Sequence, residues 1–273
     1  MEKSIRLAVQ KSGRLSEKSL EIIRSCGINF NSDGRVLKEK ASNFPMEFLY
    51  IRDDDIPTYV KNGVADVGIV GLNEYDEQNL EGLKILRYLG FAKCRLSIAV
   101  PRNFPYKGLS SLEGKRIATS YPNILGKILK KEGVNAQLVY ITGSVEITPA
   151  VDVADAICDI VSTGTTLKMN GIEAVQSIYS SEAVLIGRED WNDKEAQNIV
   201  DRLMMRFDAV MRAKNYKYVM FNLPEEKLEK VASLVGGMKS PTVTKLMEKG
   251  WIEQLRDLGA EGILVTAIEK MTE

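Results

Sequence analysis

Ser162, Thr163, Gly164, Thr165 and Thr166 place four hydroxyls and a glycine directly after an apolar run, Ala156 to Val161, that reads as a strand. A strand-to-helix junction of this composition gathers backbone N–H groups, hydroxyl donors and a helix N-terminus around one point, which suits a dianionic phosphate. Two carboxylates flank it, Asp155 just before the strand and Asp159 within it. Like charges repel, so these do not serve the phosphate; they are suited to accept hydrogen bonds from sugar hydroxyls. Together the residues read as a site for a ribose 5-phosphate.

The chain has no histidine. That excludes Ser-His-Asp and Cys-His catalysis and every His-ligated metal, and leaves carboxylates, lysines, arginines and substrate phosphates to carry the chemistry. Cys26, Cys94 and Cys158 are widely spaced, odd in number and without a C-x-x-C, which argues against a disulfide framework or a structural zinc. Cys158, inside the apolar strand, reads as a small buried hydrophobe. A second candidate anion loop is Lys11-Ser12-Gly13-Arg14, after a strand and before a helix; the same residues would equally make a solvated turn. Ala65-Asp66-Val67-Gly68-Ile69-Val70-Gly71 is a pattern expected where a ligand lies against the carboxyl edge of a sheet, or else where a crossover packs tightly.

The elements that must position these residues alternate between strand and helix. Strands are expected at Ile5 to Gln10, Phe48 to Ile51, Val64 to Gly71, Leu83 to Leu89, Cys94 to Val100, Lys115 to Thr119, Val139 to Ile141, Ala156 to Val161 and Glu182 to Gly187. Helices are expected from Ser16, through Tyr59 and Val60, and over Ile124 to Lys131. Such alternation predicts an open α/β architecture with largely parallel sheets, and a ligand cleft between two lobes. Residues 1–100 with 181–214 read as the first lobe and 101–180 as the second. Asp193 to Lys214 reads as one amphipathic helix with Ile199, Leu203, Phe207 and Val210/Met211 on a core-packing stripe. Residues 215–273 form a C-terminal region: strand Tyr218 to Asn222, helix Glu225 to Val235, strand Thr242 to Met247, helix Ile252 to Leu258, strand Gly262 to Ile268.

Length, at 273 residues, allows two domains or one large domain with an appendage. Cationic and anionic side chains balance at 37 each, so no global field favours nucleic acid or an acidic membrane, and any anion site must be local. No apolar run approaches the ~20 residues that span a bilayer, and Met1-Glu2-Lys3-Ser4 leads straight into strand, so a cytoplasmic protein is expected.

Gly143-Ser144-Val145-Glu146 and the run from Ala154 to Leu167 closely resemble ATP phosphoribosyltransferase, the first enzyme of histidine biosynthesis, and the likeness extends over nearly the whole chain. Further matching stretches are Gln10 to Leu15, Arg52-Asp53-Asp54-Asp55-Ile56-Pro57, Ala65 to Gly71, Cys94-Arg95-Leu96-Ser97 and Arg116 to Pro122. Gly237 to Thr242, with Ser240 and Thr242 as candidate regulatory residues, and Gly259 to Val265 resemble the regulatory domain of the family's long form. The resemblance implies a glycosyltransferase that joins ATP to 5-phosphoribosyl 1-diphosphate with Mg²⁺. It implies a two-lobed catalytic region like a periplasmic binding protein, a small ferredoxin-like α+β regulatory domain, a homo-oligomer exchanging between dimer and hexamer, and feedback inhibition by L-histidine. Under it, Asp155, Asp159 and Glu146 would hold ribose hydroxyls and Ser162 to Thr166 the 5-phosphate. Lys11, Arg14 and Arg52 would meet the diphosphate and ATP phosphates, with Mg²⁺ bridging. Asp66 and Gly71 would line the nucleotide cleft, and the Tyr121 ring would stack on adenine. The chain departs from the pattern after Thr242 to Met247, where Lys249-Gly250-Trp251 is followed at once by the last helix, as if one central strand were missing. An alternative reading on the same architecture is a two-lobed binding protein that holds a phosphorylated ligand without turnover.

Overall fold

Ile5, Leu7 and Val9 make one face of strand β1 (Ile5–Gln10) apolar, and Ala8 on the other face, between Arg6 and Gln10, is fully buried with them. A strand buried on both faces belongs in the middle of a covered sheet. In the computed structural model, which describes residues 3–31, 36–161, 165–191, 193–214, 216–222, 227, 230, 244–245, 251–259 and 261–267, β1 holds that place. It lies in parallel between β3 (Met46–Ile51) and β4 (Val67–Gly71). The six-stranded sheet runs β2-β3-β1-β4-β11-β5, with β2 at Lys38–Lys40, β5 at Leu83–Tyr88 and β11 at Ala183–Arg188, each antiparallel to its neighbour.

A second, five-stranded sheet repeats the plan. Its order is β10-β6-β9-β7-β8, with β6 at Cys94–Pro101, β7 at Arg116–Thr119, β8 at Gln137–Tyr140, β9 at Ala156–Val161 and β10 at Ile172–Ser181. Here β8, β7 and β9 are parallel, β6 runs against β9, and β10 against β6. The sequence β3, β1, β4, β11, β5 therefore corresponds to β8, β7, β9, β6, β10. The chain passes between the sheets twice, after β5 and after β10. Leu89 and Ala183 tie the two crossings together, the Leu89 N–H donating to the Ala183 carbonyl at 2.9 Å and the Ala183 N–H to the Phe91 carbonyl at 2.9 Å. The two-lobed α/β plan expected from the sequence is the one observed, but the sheets are mixed where largely parallel ones were expected, because β2, β11, β6 and β10 pair antiparallel with their neighbours; one strand also shifts lobe. Strand β6, expected at the end of the first lobe, belongs to the second sheet, because its partners are β9 and β10; an apolar run does not say which sheet it joins.

Helices fill the connections: α1 (Arg14–Ser25), α2 (Ile56–Lys61), α3 (Leu72–Gln78), α4 (Pro122–Glu132), α5 (Thr165–Met169) and α6 (Lys194–Ala213). Helix α4 shows why its bounds fall where they do. Pro122 opens it, where a missing N–H costs nothing, and Gly133 closes it at φ 70°. Its Leu125 and Leu129 pack with Leu96, Ile98, Ile117 and Cys158 in one cluster, while Ile56 and Val60 of α2 pack with Ala8, Val70, Val184 and Ile186 in another. Each such side chain contributes about 1.5–3 kcal/mol by leaving water, so each sheet has a core of its own.

The chain divides into two compact units, residues 1–19 with 30–197, and 20–29 with 198–273. Both sheets above lie in the first. In the second, Ile199, Val200, Leu203, Phe207 and Val210 of α6 are buried, as the stripe predicts. Its three-stranded sheet has β12 (Tyr216–Asn222) in the middle, with β13 (Thr244–Lys245) and β14 (Glu261–Ala267) both antiparallel to it, and helix α7 (Trp251–Asp257) precedes β14. Among the described residues this sheet has three strands, not the four of a β-α-β-β-α-β domain. The helix expected at Glu225 to Val235 lies almost wholly outside the described residues, as do Ser240 and Thr242.

Candidate active site

The carboxyl end of β9 is the natural place to begin. Asp159 faces the same side of the strand as Ile157 and Val161 and pairs across the sheet with Ser97 of β6. Its carboxylate accepts the Ile160 N–H at 2.7 Å. Burial, and then the like charge of Glu146, pushes the Asp159 carboxyl above the ordinary value, against the pull of that N–H. Glu146 comes near because Gly143 (φ 81°) and Ser144 (φ 49°) turn the chain back in left-handed conformations, and a 3-10 turn over Val145–Ile147 follows. Val145 anchors that turn among Ala99, Ala118 and Ile157. Helix α5 begins at Thr165, just past the end of β9. Ser162, Thr163 and Gly164 lie outside the described residues, so of the expected hydroxyl loop only Thr165 and Thr166 have a place, at the start of α5.

The first sheet presents its own carboxyl edge. The Lys11 N–H donates to the Ile51 carbonyl at 2.8 Å, continuing a register that sets Gln10 beside Ile51 and Ala8 beside Gly68. Lys11, Arg52 and Gly71 therefore stand at one level, and Arg14 opens α1 after Gly13 at φ 97°. Lys11 and Arg14 are exposed. Arg52 is engaged by Asp54, with Nε at 2.9 Å from Oδ1 and Nη2 at 2.5 Å from Oδ2. Gly71 is required for space: a Cβ there would lie 2.4 Å from Asn73 Oδ1.

A cavity of about 870 Å³ opens along the start of β6 and along β10, beside the carboxyl end of β9; Lys11, Arg14, Arg52, Glu146 and Asp159 are not among its lining residues. Leu72, which follows Gly71, and Val161, which ends β9, both line it, together with Lys93, Arg95, Ser97 and Glu182. Two cations and a serine thus belong to the cleft although the sequence reading assigned them no role. The signal was present in Cys94-Arg95-Leu96-Ser97: on a strand, Arg95 and Ser97 share a face.

Three expected site residues are elsewhere. Asp155 precedes β9, whose far end is Val161; six residues at ~3.3 Å each put the two ends roughly 20 Å apart, so one ribose cannot touch both. The Asp155 carboxylate instead accepts the Arg116 N–H at 2.8 Å, with Nη2 at 3.1 Å, while the Asp155 N–H donates to the Arg116 carbonyl at 2.9 Å. Asp66 does the same at the start of β4: Oδ2 accepts the Arg6 N–H at 2.7 Å, and the Asp66 N–H donates to the Arg6 carbonyl at 2.8 Å. These are matched staples between adjacent parallel strands at the amino edges of the two sheets, away from the cleft. Tyr121 is 8% exposed, its ring packed with the second lobe's core, so no face is open to an adenine. Its hydroxyl donates to Glu74 Oε1 at 3.1 Å.

This geometry can be set beside known proteins. Residues 52–209 match the family model described as ATP phosphoribosyltransferase, and residues 213–253 match its C-terminal domain. An ATP phosphoribosyltransferase of Cytophaga hutchinsonii is 48% identical over 284 positions, covering 98% of this chain and 99% of that protein. The chain belongs to the ATP phosphoribosyltransferase family. It is therefore a transferase, and the resemblance read from its motifs holds. A relative from Bacteroides thetaiotaomicron is 47% identical over 282 positions, again covering 98% of this chain and 99% of that protein. Among solved structures, the ATP phosphoribosyltransferase complex (HisG:HisZ) of Thermotoga maritima superposes with a TM-score of 0.61 and 25% identity, over 75% of this chain and 98% of that one. The Cytophaga alignment spans 284 positions, more than the 273 residues of this chain, so part of that relative faces gaps here. The C-terminal match ends at residue 253, close to Trp251, where the sequence departs from the long-form pattern.

Proposed function

We propose that this chain joins ATP to 5-phosphoribosyl 1-diphosphate, giving phosphoribosyl-ATP and diphosphate, the opening step of histidine biosynthesis. The observation that carries the reading is a cavity lined by Lys93, Arg95 and Ser97, with Asp159 paired to Ser97 on the neighbouring strand, so that cations and a carboxylate lie at the carboxyl end of β9. N1 of adenine has a free lone pair and attacks C1 of the ribose; the C1–oxygen bond breaks and its electron pair leaves with the diphosphate. No base is needed before attack, so a chain without histidine suffices. The transition state needs alignment, support for a cation-like ribose and neutralisation of the leaving group.

In this reading Asp159 and Glu146 accept hydrogen bonds from the ribose hydroxyls, and residues Ser162 to Thr166 hold the 5-phosphate. Lys11 and Arg14, joined by Lys93 and Arg95, meet the diphosphate and the ATP phosphates. Arg52, braced by Asp54, holds its guanidinium at the same edge, and Gly71 stands beside it, its missing side chain leaving room for Asn73. Among the described residues no three Asp, Glu or Cys side chains cluster as a metal site. Mg²⁺ accordingly fits as a companion of the substrate diphosphate, whose charge it would neutralise. Incubating the protein with ATP, phosphoribosyl diphosphate and Mg²⁺, and following the absorbance of the N1-substituted adenine, tests the reading. Product is expected; tight donor binding without product would instead support the binding-protein alternative, which full-length likeness to transferases does not favour.

A further inference from the structure

Helix α3 belongs to the first lobe, since it grows directly from β4 and its Tyr75 and Gln78 bond to Leu83, Asp54 and Thr58, yet Asn73, Glu74, Asp76 and Glu77 reach the second. The Glu77 carboxylate accepts two backbone N–H groups in the first turn of α4, Asn123 at 2.8 Å and Ile124 at 3.0 Å. The Asn123 side chain returns a hydrogen bond to the Glu77 carbonyl at 2.8 Å. One turn on, Lys127 Nζ donates to Asn79 Oδ1 at 3.1 Å. On the other flank, Tyr179 of β10 donates to Asp76 at 2.5 Å, and Tyr121 donates to Glu74. Asn73, buried, completes the set: its amide donates to the Tyr121 hydroxyl at 3.3 Å, and its Oδ1 accepts from Ser181 at the crossing between lobes at 2.7 Å.

Helix N-termini usually take capping side chains from their own chain segment; α4 takes its cap from across the lobe boundary. The cap also joins two points that matter for chemistry. Helix α3 starts at Leu72, which lines the cavity, and α4 starts at the carboxyl end of β7, the strand beside β9. We propose that Glu77 is a positioning residue for the transfer reaction, with α3 acting as a clamp that fixes the separation of the two cleft edges. Each lobe has its own core, so releasing the clamp frees the angle between lobes without unfolding either. The inference rests on the family's transferase activity and not on the substrate contacts proposed above.

The test is steady-state kinetics of Glu77→Ala, Glu77→Gln and Tyr121→Phe alongside thermal unfolding. A misplacement of about 1 Å at reacting atoms can cost ~100-fold in rate. We expect kcat to fall by about 10- to 100-fold in Glu77→Ala and less in Glu77→Gln, whose remaining oxygen still accepts one N–H. Tyr121→Phe, which keeps the ring in the core, is expected to lose several-fold in kcat, with melting points within a few degrees of wild type. Unchanged kcat in both Glu77→Ala and Tyr121→Phe would overturn the clamp. A loss of activity that follows the melting point across the three variants would overturn it equally. Should Glu77→Ala fail to fold, Glu77→Gln and Tyr121→Phe decide.

Discussion

Replacing Asp155 by asparagine separates stability from catalysis at a residue whose motif suggests the second and whose contacts show the first. The substitution keeps one oxygen for the Arg116 N–H but removes the charge that attracts the guanidinium. Hydrogen bonds to charged groups contribute about 1.5–3 kcal/mol, whereas exposed ion pairs contribute about 0–1. With side-chain exposures of 34% and 32%, the Arg116–Asp155 pair falls between, and a loss of about 1–2 kcal/mol is expected. At 2–4 °C per kcal/mol for a chain of roughly this size, the melting point should drop by about 2–8 °C at pH 7. The hydrogen bonds from Arg116 hold the Asp155 carboxyl below its usual range. A folded value below the unfolded one gives a contribution that is complete above about pH 4 and disappears as pH falls through the folded value. The difference between wild type and Asp155→Asn should therefore shrink progressively as pH falls below about 4, measured by calorimetry or circular dichroism. Turnover below both melting points should stay within a few-fold of wild type. A fall of about 100-fold in kcat with an unchanged melting point would refute the staple and return Asp155 to the substrate.

The other expectations follow from particular contacts. Asp66→Asn should behave as Asp155→Asn does, losing stability and keeping kcat, because the Arg6–Asp66 bonds are its counterpart. Gly71→Ala should cost about 1–3 kcal/mol and lower activity, since its Cβ displaces Asn73 from Ser181 and Tyr121; a variant of wild-type melting point and rate would contradict this. Arg95→Ala should raise KM for a substrate phosphate by about 10-fold or more, and unaltered KM for both substrates would remove Arg95 from the site. Inhibition by L-histidine should be weakened or absent, since relatives align over more positions than the chain has and the long-form pattern breaks at Lys249-Gly250-Trp251; a normal inhibition curve would refute that.

Much of the fold was legible because its signals are local. β1, β9 and α4 announce themselves through apolar runs, Pro122 and Gly133, and the stripe on α6 through its period. Helix α3 did not, because in Leu72-Asn73-Glu74-Tyr75-Asp76-Glu77-Gln78 only Leu72 and Tyr75 pack on the core, too short a pattern to show a helical period, and its remaining contacts are hydrogen bonds. β10 was hidden by bulges between Ala174 and Gln176 and between Ser177 and Tyr179, which break the alternation. At the proposed site, Asp159 and the cationic loop are candidates by residue type beside a glycine turn, whereas Glu146 is one only through the family resemblance. Asp155 and Asp66 were misplaced for a reason the sequence already contained. A strand has two ends, and an aspartate one residue before it cannot share a ligand with a loop one residue after it. The recurrence of Ala-Asp before two equivalent strands was the visible sign of a structural repeat.

Asp159→Asn is the most direct test of the account, with kcat and the KM for phosphoribosyl diphosphate measured beside Asp155→Asn under identical conditions. If the donor's ribose lies at the carboxyl end of β9, Asp159→Asn should lose about 100-fold or more in kcat/KM while Asp155→Asn remains close to wild type. The reverse ordering, or two equal losses, would contradict it.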